Sequence, residues 1–187
     1  MSAMMSPAGT IPALVSGPAL APVTPAPTLA AALAVAAGQA GDNGVGFIDL
    51  HGVETHWSYR QLYAHARRGA GALRALGLAP GSRVVLRLAD PRQFTLALWS
   101  CLVGGYVVIP TADPGALPRD AATLRQQLAT LQALEPSALI LSGAQWRQVA
   151  GMRGQLDGPR LALLSADSLL DGPELQDLPG AAGLARE

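Results

Sequence analysis

From residue 59 to residue 73 apolar side chains recur every three or four positions, at Tyr59, Leu62, Tyr63, Ala66, Ala70 and Leu73, while Arg60, Arg67, Arg68 and Arg74 take other positions. That spacing predicts an amphipathic helix. Its start is marked by Ser58, followed three residues later by Gln61: a capping box, in which each side chain satisfies an orphan backbone N–H of the first turn. Gly77 closes the helix and Pro80-Gly81 makes the next turn.

Beyond residue 80 the pattern changes. Residues 83–88, 106–109, 138–141 and 161–164 are short runs of apolar and β-branched residues without polar alternation, and they predict strands. Between them, residues 94–103, 119–134 and 144–150 read as helices, the second with Leu124, Leu128 and Leu131 on one stripe. Asp90-Pro91 breaks the first strand, and Gly104-Gly105 ends the helix before the second. Strands buried on both faces and alternating with helices predict an α/β fold of three layers: a mostly parallel sheet, helices on both faces, right-handed crossovers. The stretch after Asp167, rich in Gly, Pro and Asp, is expected to be loop.

Upstream, Thr28 can cap a short helix over residues 29–38, with Leu29 and Leu33 on one side. Gly41-Asp42-Asn43-Gly44 is turn chemistry, and residues 46–50 and 55–57 read as two strands of a hairpin joined around His51-Gly52. Residues 1–41 carry no charged side chain, and Pro7, Pro12, Pro18, Pro22, Pro25 and Pro27 recur among small residues. That composition predicts a flexible Pro/Ala-rich arm over 1–27, ahead of a domain over 28–187. The segment lacks the basic start and unbroken apolar stretch of a secretory signal, and its Ala/Leu run is too short to span a bilayer. A cytoplasmic protein is expected, with no membrane partner.

Charge narrows the functional classes. The 13 basic residues balance 13 acidic ones, so neither nucleic acid nor an acidic membrane is an expected partner. Every basic residue is arginine, which leaves no side chain for a Schiff base, a phosphate-loop lysine or a catalytic lysine. Cys101 is the one cysteine; set among apolar residues on a helix, it is expected to be a buried, inert thiol.

The candidate chemistry reduces to structural roles. Gly69-Ala70-Gly71 lies within a helix and has Arg74 where a dinucleotide fingerprint needs its third glycine, so these small residues are expected to bring the helix close to the sheet. His51, His56 and His65 have no ligand spacing and no acidic or thiol companions. Asp90, Asp113 and Asp120 follow strands, where carboxylates form turns and caps. Ser100 and Ser142 lack the nucleophile-elbow context, and Arg67-Arg68 is expected to be a solvated step on a helix surface.

Trp57-Ser58-Tyr59-Arg60-Gln61-Leu62 is similar to the first sequence motif of the adenylate-forming (AMP-binding) superfamily, with Gln61 where an acidic residue is commoner. Residues 101–113, including Gly104-Gly105, Pro110 and Asp113, are similar to its second motif, and residues 78–84 resemble the lead-in to its first sheet strand. The stretch 94–110 resembles fatty acyl-AMP ligases and acyl-CoA synthetase-like loading modules of polyketide and nonribosomal peptide assembly lines. The resemblance implies a parent enzyme that joins a carboxylic acid to AMP from ATP with Mg²⁺, then passes the acyl group to a carrier-protein thiol or to coenzyme A. The family's Ser/Thr/Gly-rich phosphate loop with its lysine has no counterpart in this sequence, nor do its adenine- and ribose-binding motifs or the domain carrying its catalytic lysine. No catalytic, cofactor-binding or metal-binding residue is therefore carried over, and no cofactor is expected in this chain itself. The expectation is an N-terminal fragment of an acyl-activating ligase, an incomplete subdomain inactive by itself, whose partners are the remainder of the adenylation domain and an acyl carrier protein. The alternatives are a non-catalytic binding or scaffold module of an assembly line and an unrelated Rossmann-like nucleotide binder.

Overall fold

A computed structural model describes residues 17, 25–39, 41–49, 51–113, 115, 117–152 and 161–175 of the chain. Most of the expected arm over 1–27 lies outside the described residues, as does the tail beyond residue 175. The elements run α1 (Leu29–Gly38), a hairpin of β1 (Gly44–Ile48) and β2 (Glu54–Ser58), α2 (Tyr59–Ala75), β3 (Arg83–Arg87), α3 (Pro91–Gly104), β4 (Val107–Pro110), α4 (Ala121–Gln132), β5 (Ala138–Leu141), α5 (Gly143–Gly151) and β6 (Ala162–Ser165). A single 3-10 turn, Ala166–Leu169, follows.

Four strands form one parallel sheet in the order β4-β3-β5-β6. Alternation along each strand divides its apolar residues between the two faces. Val84 and Leu86 of β3, with Ala138 and Ile140 of β5, face Leu73 of α2 and Leu96, Ala97 and Cys101 of α3. Val85, Leu139 and Leu141 point the other way, to Leu124 of α4 and Val149 of α5. The three-layer α/β architecture expected from the unbroken apolar strands is the one observed.

Outside the first helical layer, α1 adds a smaller cluster in which Ala66, Ala70, Val103 and Leu175 are buried beside Ala30, Tyr63 and Trp99. The α2 capping box is formed: Ser58 Oγ accepts from Gln61 N at 3.2 Å, and Gln61 Oε1 accepts from Ser58 N at 2.9 Å.

Several boundaries differ from the sequence-based expectation, each for a local reason. The first hairpin strand ends at Ile48 and the second starts at Glu54 because Asp49 turns the chain early, its Oδ1 accepting from His51 N and Val53 N at 2.8 and 2.9 Å. Helix α3 begins at Pro91, three residues before Phe94. Asp90 caps it through Arg92 N and Gln93 N, and proline suits a first turn whose N–H has no partner anyway. Helix α4 is shorter than residues 119–134; Asp120 caps it, and the chain leaves it through Glu135 at φ 48.

The stretch after Asp167 is not simply loop. Leu169 is fully buried in the main cluster, and Leu175 packs into the α2–α3 layer. Nor do Gly69 and Gly71 bring α2 to the sheet. A Cβ on Gly69 would lie 2.0 Å from Ser100 Oγ of α3, and one on Gly71 would lie 1.8 Å from the Pro173 carbonyl oxygen. The small residues instead admit α3 on one side and the 172–175 segment on the other.

Arg67 holds that segment down, which corrects its expected role as a solvated charge. Its Nε donates to the Leu175 carbonyl at 2.8 Å, its Nη2 donates to the same oxygen, and Nη1 lies 3.0 Å from Glu174 Oε1. Arg68 remains exposed. Because the obstruction at Gly71 is backbone rather than a movable side chain, Gly71→Ala is expected to lower unfolding stability by about 1–3 kcal/mol. Urea denaturation of the two proteins checks this; an unchanged midpoint would mean that the segment is not docked there.

Candidate functional site

In a parallel sheet of this kind ligands collect at the carboxyl edge, where neighbouring strands send their chains to opposite faces and leave a crevice. Strand β3 leads to α3 on one face, whereas its neighbour β5 leads to α5 on the other. The residues collected there are Arg87 at the end of β3, the β4–α4 connection with Asp113, the start of α5 with Ser142 and Gln145, and Ser165 with Asp167 beyond β6.

Most of these polar groups are engaged in holding loops. Gln145, buried, donates from Nε2 to Asp113 Oδ1 at 2.8 Å and to the Gly115 carbonyl at 2.7 Å. One turn further along α5, Gln148 donates to the carbonyls of Leu117 and Pro118 at 3.3 and 2.8 Å. Two glutamines of one helix thus fasten the connection that crosses from β4, past the end of β3, to the α5 side of the sheet. Asp167 accepts from Gln93 Nε2 of α3 at 2.8 Å, and its other oxygen lies against Gly143, where a Cβ would come within 2.1 Å. It therefore joins the two helical layers across the edge.

The aspartates singled out from the sequence have the structural roles expected of them. Asp90 caps α3, and Asp120 caps α4 by accepting from Thr123 N at 2.8 Å. The Thr123 hydrogen bonds hold the Asp120 carboxyl below its ordinary pKa. Asp113 also closes its own turn by accepting from Gly115 N at 2.9 Å. Ser142 caps α5, and Ser100 is buried with its hydroxyl donating to the Leu96 carbonyl at 2.7 Å. Neither serine has a histidine partner.

The histidines are not brought together. His51 is exposed in the hairpin turn; His56 Nδ1 lies 4.0 Å from Asp42 Oδ2; His65 meets the Trp57 ring edge-on at 5.4 Å between centroids. Partial burial, aided by the Arg68 charge, lowers the His65 pKa. Among the described residues, no three His, Cys, Asp or Glu side chains are grouped so that they could hold a metal ion.

Gln145 and Arg87 are the residues that sequence reasoning passed over, and both left a signal. Gln145 stands three residues after Ser142, the same spacing as Ser58 and Gln61. Ser142 does accept from Gln145 N, at 3.4 Å, but the glutamine side chain turns away from its own helix start to the β4–α4 connection. Arg87 is a charge that follows three apolar residues in a strand, and it is only 5% exposed.

Comparison with known proteins places this geometry. Residues 34–178 match the family of AMP-binding enzymes. An acyl–CoA ligase of Pestalotiopsis microspora is 32% identical over 85 residues, which is 45% of this chain and 14% of that protein. Among solved structures, the fatty acyl-adenylate ligases from E. coli and L. pneumophila superpose with a TM-score of 0.65 at 30% identity, over 81% of this chain and 27% of theirs. The adenylation domain of a keto acid-selecting NRPS module, bound to keto acyl adenylate, gives 0.64 at 27% identity, over 80% of this chain and 28% of that one. The chain therefore spans under a third of the length of each of these relatives.

Cys101 allows a direct test of the buried layer between sheet and α3. Burial pushes its thiol from an ordinary 9.0 up to about 12. The folded thiol thus keeps its proton over a range in which the unfolded one loses it, so its contribution to stability is intact below pH 9 and declines as pH rises toward 12. At pH 8 a disulfide-exchange reagent is expected to label Cys101 only after denaturant is added; rapid labelling of the folded protein would contradict the packing described.

Proposed function

The chain belongs to the AMP-binding enzyme family, and on that premise we propose that it is the N-terminal scaffold portion of an acyl-activating ligase. The complete enzyme joins a carboxylic acid to AMP using ATP and Mg²⁺, then transfers the acyl group to a carrier-protein thiol or to coenzyme A. The observation that carries this reading is the matched fold: a β4-β3-β5-β6 sheet with helices on both faces, aligned over four-fifths of the chain with acyl-adenylate ligases. The residues that match the family's first motif form a capped helix start, and those that match its second form the α3–β4 junction.

On this reading the residues present serve as support rather than chemistry. Adenylation needs groups that hold the triphosphate and stabilise charge developing at phosphorus and at the carboxylate. This chain contains no lysine, and its carboxyl-edge aspartates and serines serve as caps and loop ties. No catalytic or cofactor-binding residue is proposed among them. The partner proposed first is the rest of the adenylation domain, with an acyl carrier protein as acceptor and the cytoplasm as the compartment. Among the described residues strands β4 and β6 each have one strand neighbour in this sheet, and Val107 on β4 is 49% exposed, which fits further sheet joining at an edge.

Purified residues 1–187, given ATP, Mg²⁺ and a panel of aliphatic and aromatic carboxylic acids, are expected to release no pyrophosphate and to form no acyl-AMP. Mass spectrometry for the adenylate is the check. Turnover by the pure chain would overturn the division between scaffold and active site.

A further inference from the structure

We propose that Arg87 is the seat of a small oxyanion, a phosphate or a carboxylate, at the carboxyl end of β3. The proposal rests on the geometry of this chain and does not depend on the acyl-activation reading.

Arg87 is 5% exposed and lies on the face of β3 that carries Val85 and meets α4 and α5. Among the described residues its guanidinium has one hydrogen bond: Nη2 donates to Gln127 Oε1 of α4, at a long 3.3 Å. Its Nε is fully buried and has no acceptor. Among the described residues no carboxylate lies within ion-pair distance of it, whereas Arg67, Arg83 and Arg92 each have an acidic side chain within 4.0 Å.

Arginine cannot relieve such burial by losing its proton, as a lysine or histidine would. A glutamine oxygen or a water molecule can accept its hydrogen bonds, but neither neutralises the charge. A buried charge without a counter-ion is destabilising, which favours an anion as the group that completes this site. Nε–H and Nη2–H lie on the same edge of the guanidinium and point in parallel. That edge matches two oxygens of one carboxylate or phosphate, which would take the free Nε and replace the weak contact to Gln127.

The position suits a ligand as well as the charge does. Arg87 pairs in register with Leu141, the last residue of β5, so it stands where the chains leaving β3 and β5 diverge to opposite faces. At the same edge, Gln145 Oε1 is also buried without a donor, although the amide nitrogen of that side chain is fully used.

The test is thermal unfolding of the whole chain at constant ionic strength and pH 7, with sodium chloride exchanged stepwise for sodium phosphate or sodium acetate. Arg87→Met, Arg87→Lys and Arg83→Met are measured in parallel. Phosphate also stabilises proteins by general exclusion from their surface, so the informative quantity is the difference between variants. The wild-type midpoint is expected to rise with phosphate, acetate or both along a saturating mass-action curve. Arg87→Met is expected to melt higher than wild type in chloride and to lose the saturating response. Arg83→Met, which alters an exposed pair with Glu135, keeps it.

Arg87→Lys preserves the charge but not the paired donors, and is expected to weaken the apparent affinity by about tenfold or more. Should Arg87→Met fail to fold, the lysine variant and phosphorus NMR line broadening on the wild-type chain decide the matter. The proposal is overturned if neither anion gives a saturating response, or if the response persists undiminished in Arg87→Met or Arg87→Lys, which would show an adventitious ion only. A phosphate response without an acetate response assigns the seat to phosphate, and the reverse assigns it to carboxylates. Loss or survival of adenylation activity has no bearing on any of these readouts.

Discussion

Strands β3 and β5 are enclosed on every side, and the rest of the molecule follows from that enclosure. Each is hydrogen-bonded to a strand on both edges and covered by helices on both faces. With no solvent face, the side-chain alternation of a strand no longer separates apolar from polar; it divides one apolar run between two cores. Val84 and Leu86 join one core and Val85 the other, so three consecutive residues commit helices to both sides of the sheet. The β4–α4 connection must then pass the end of β3 to reach the α5 side, because β4 and β5 flank β3. The need to hold that crossing in place explains why α5 presents two glutamines to backbone carbonyls.

The helical layer facing α2 obeys a second constraint, that of close approach. Gly69 admits Ser100 of α3, and Gly104 at the end of α3 is filled from the side by the Tyr106 ring and Ala70. Where two helices touch through such small residues, the contact depends on the absence of side chains as much as on their presence. Gly71 extends the same principle to an irregular segment, whose Pro173 carbonyl occupies the place of a β-carbon. Leu175 and the bidentate use of Arg67 then fix the segment, so a stretch with the composition of a loop becomes part of the core.

The parts of this structure that were legible in the sequence are those set by local or periodic chemistry. The Ser58–Gln61 box, the four apolar strands and the left-handed Gly105 after α3 follow from rules that act within a few residues. Elements whose fate is decided by distant neighbours were not legible. Nothing within five residues of Arg67 shows that its partners are Glu174 and the Leu175 carbonyl, more than a hundred positions away. The second Ser-x-x-Gln pair illustrates the limit most clearly. Ser142 and Gln145 have the spacing of a capping box, but the competing acceptors at Asp113 and Gly115 exist only once the sheet has formed, and they take the glutamine. The aspartates after the strands were readable as caps and turns for the opposite reason, since Asp90 and Asp120 satisfy donors two or three residues ahead.

The division between support and chemistry follows from how the polar groups are used. At the carboxyl edge a side chain can serve a ligand only if its hydrogen-bonding capacity is not already committed to the protein. Asp90, Asp113, Asp120, Asp167, Ser142 and Gln148 all have hydrogen-bond partners in the loops and helices around them, and those bonds hold the edge together. Among the described residues two buried side-chain groups depart from this rule, Arg87 Nε and Gln145 Oε1. A buried group in want of a partner is a stronger pointer than an exposed one, because water cannot make up the deficit at no cost. In a scaffold that otherwise commits its polar atoms to its own loops, the charge at the end of β3 is the point at which the fold is incomplete without an anion.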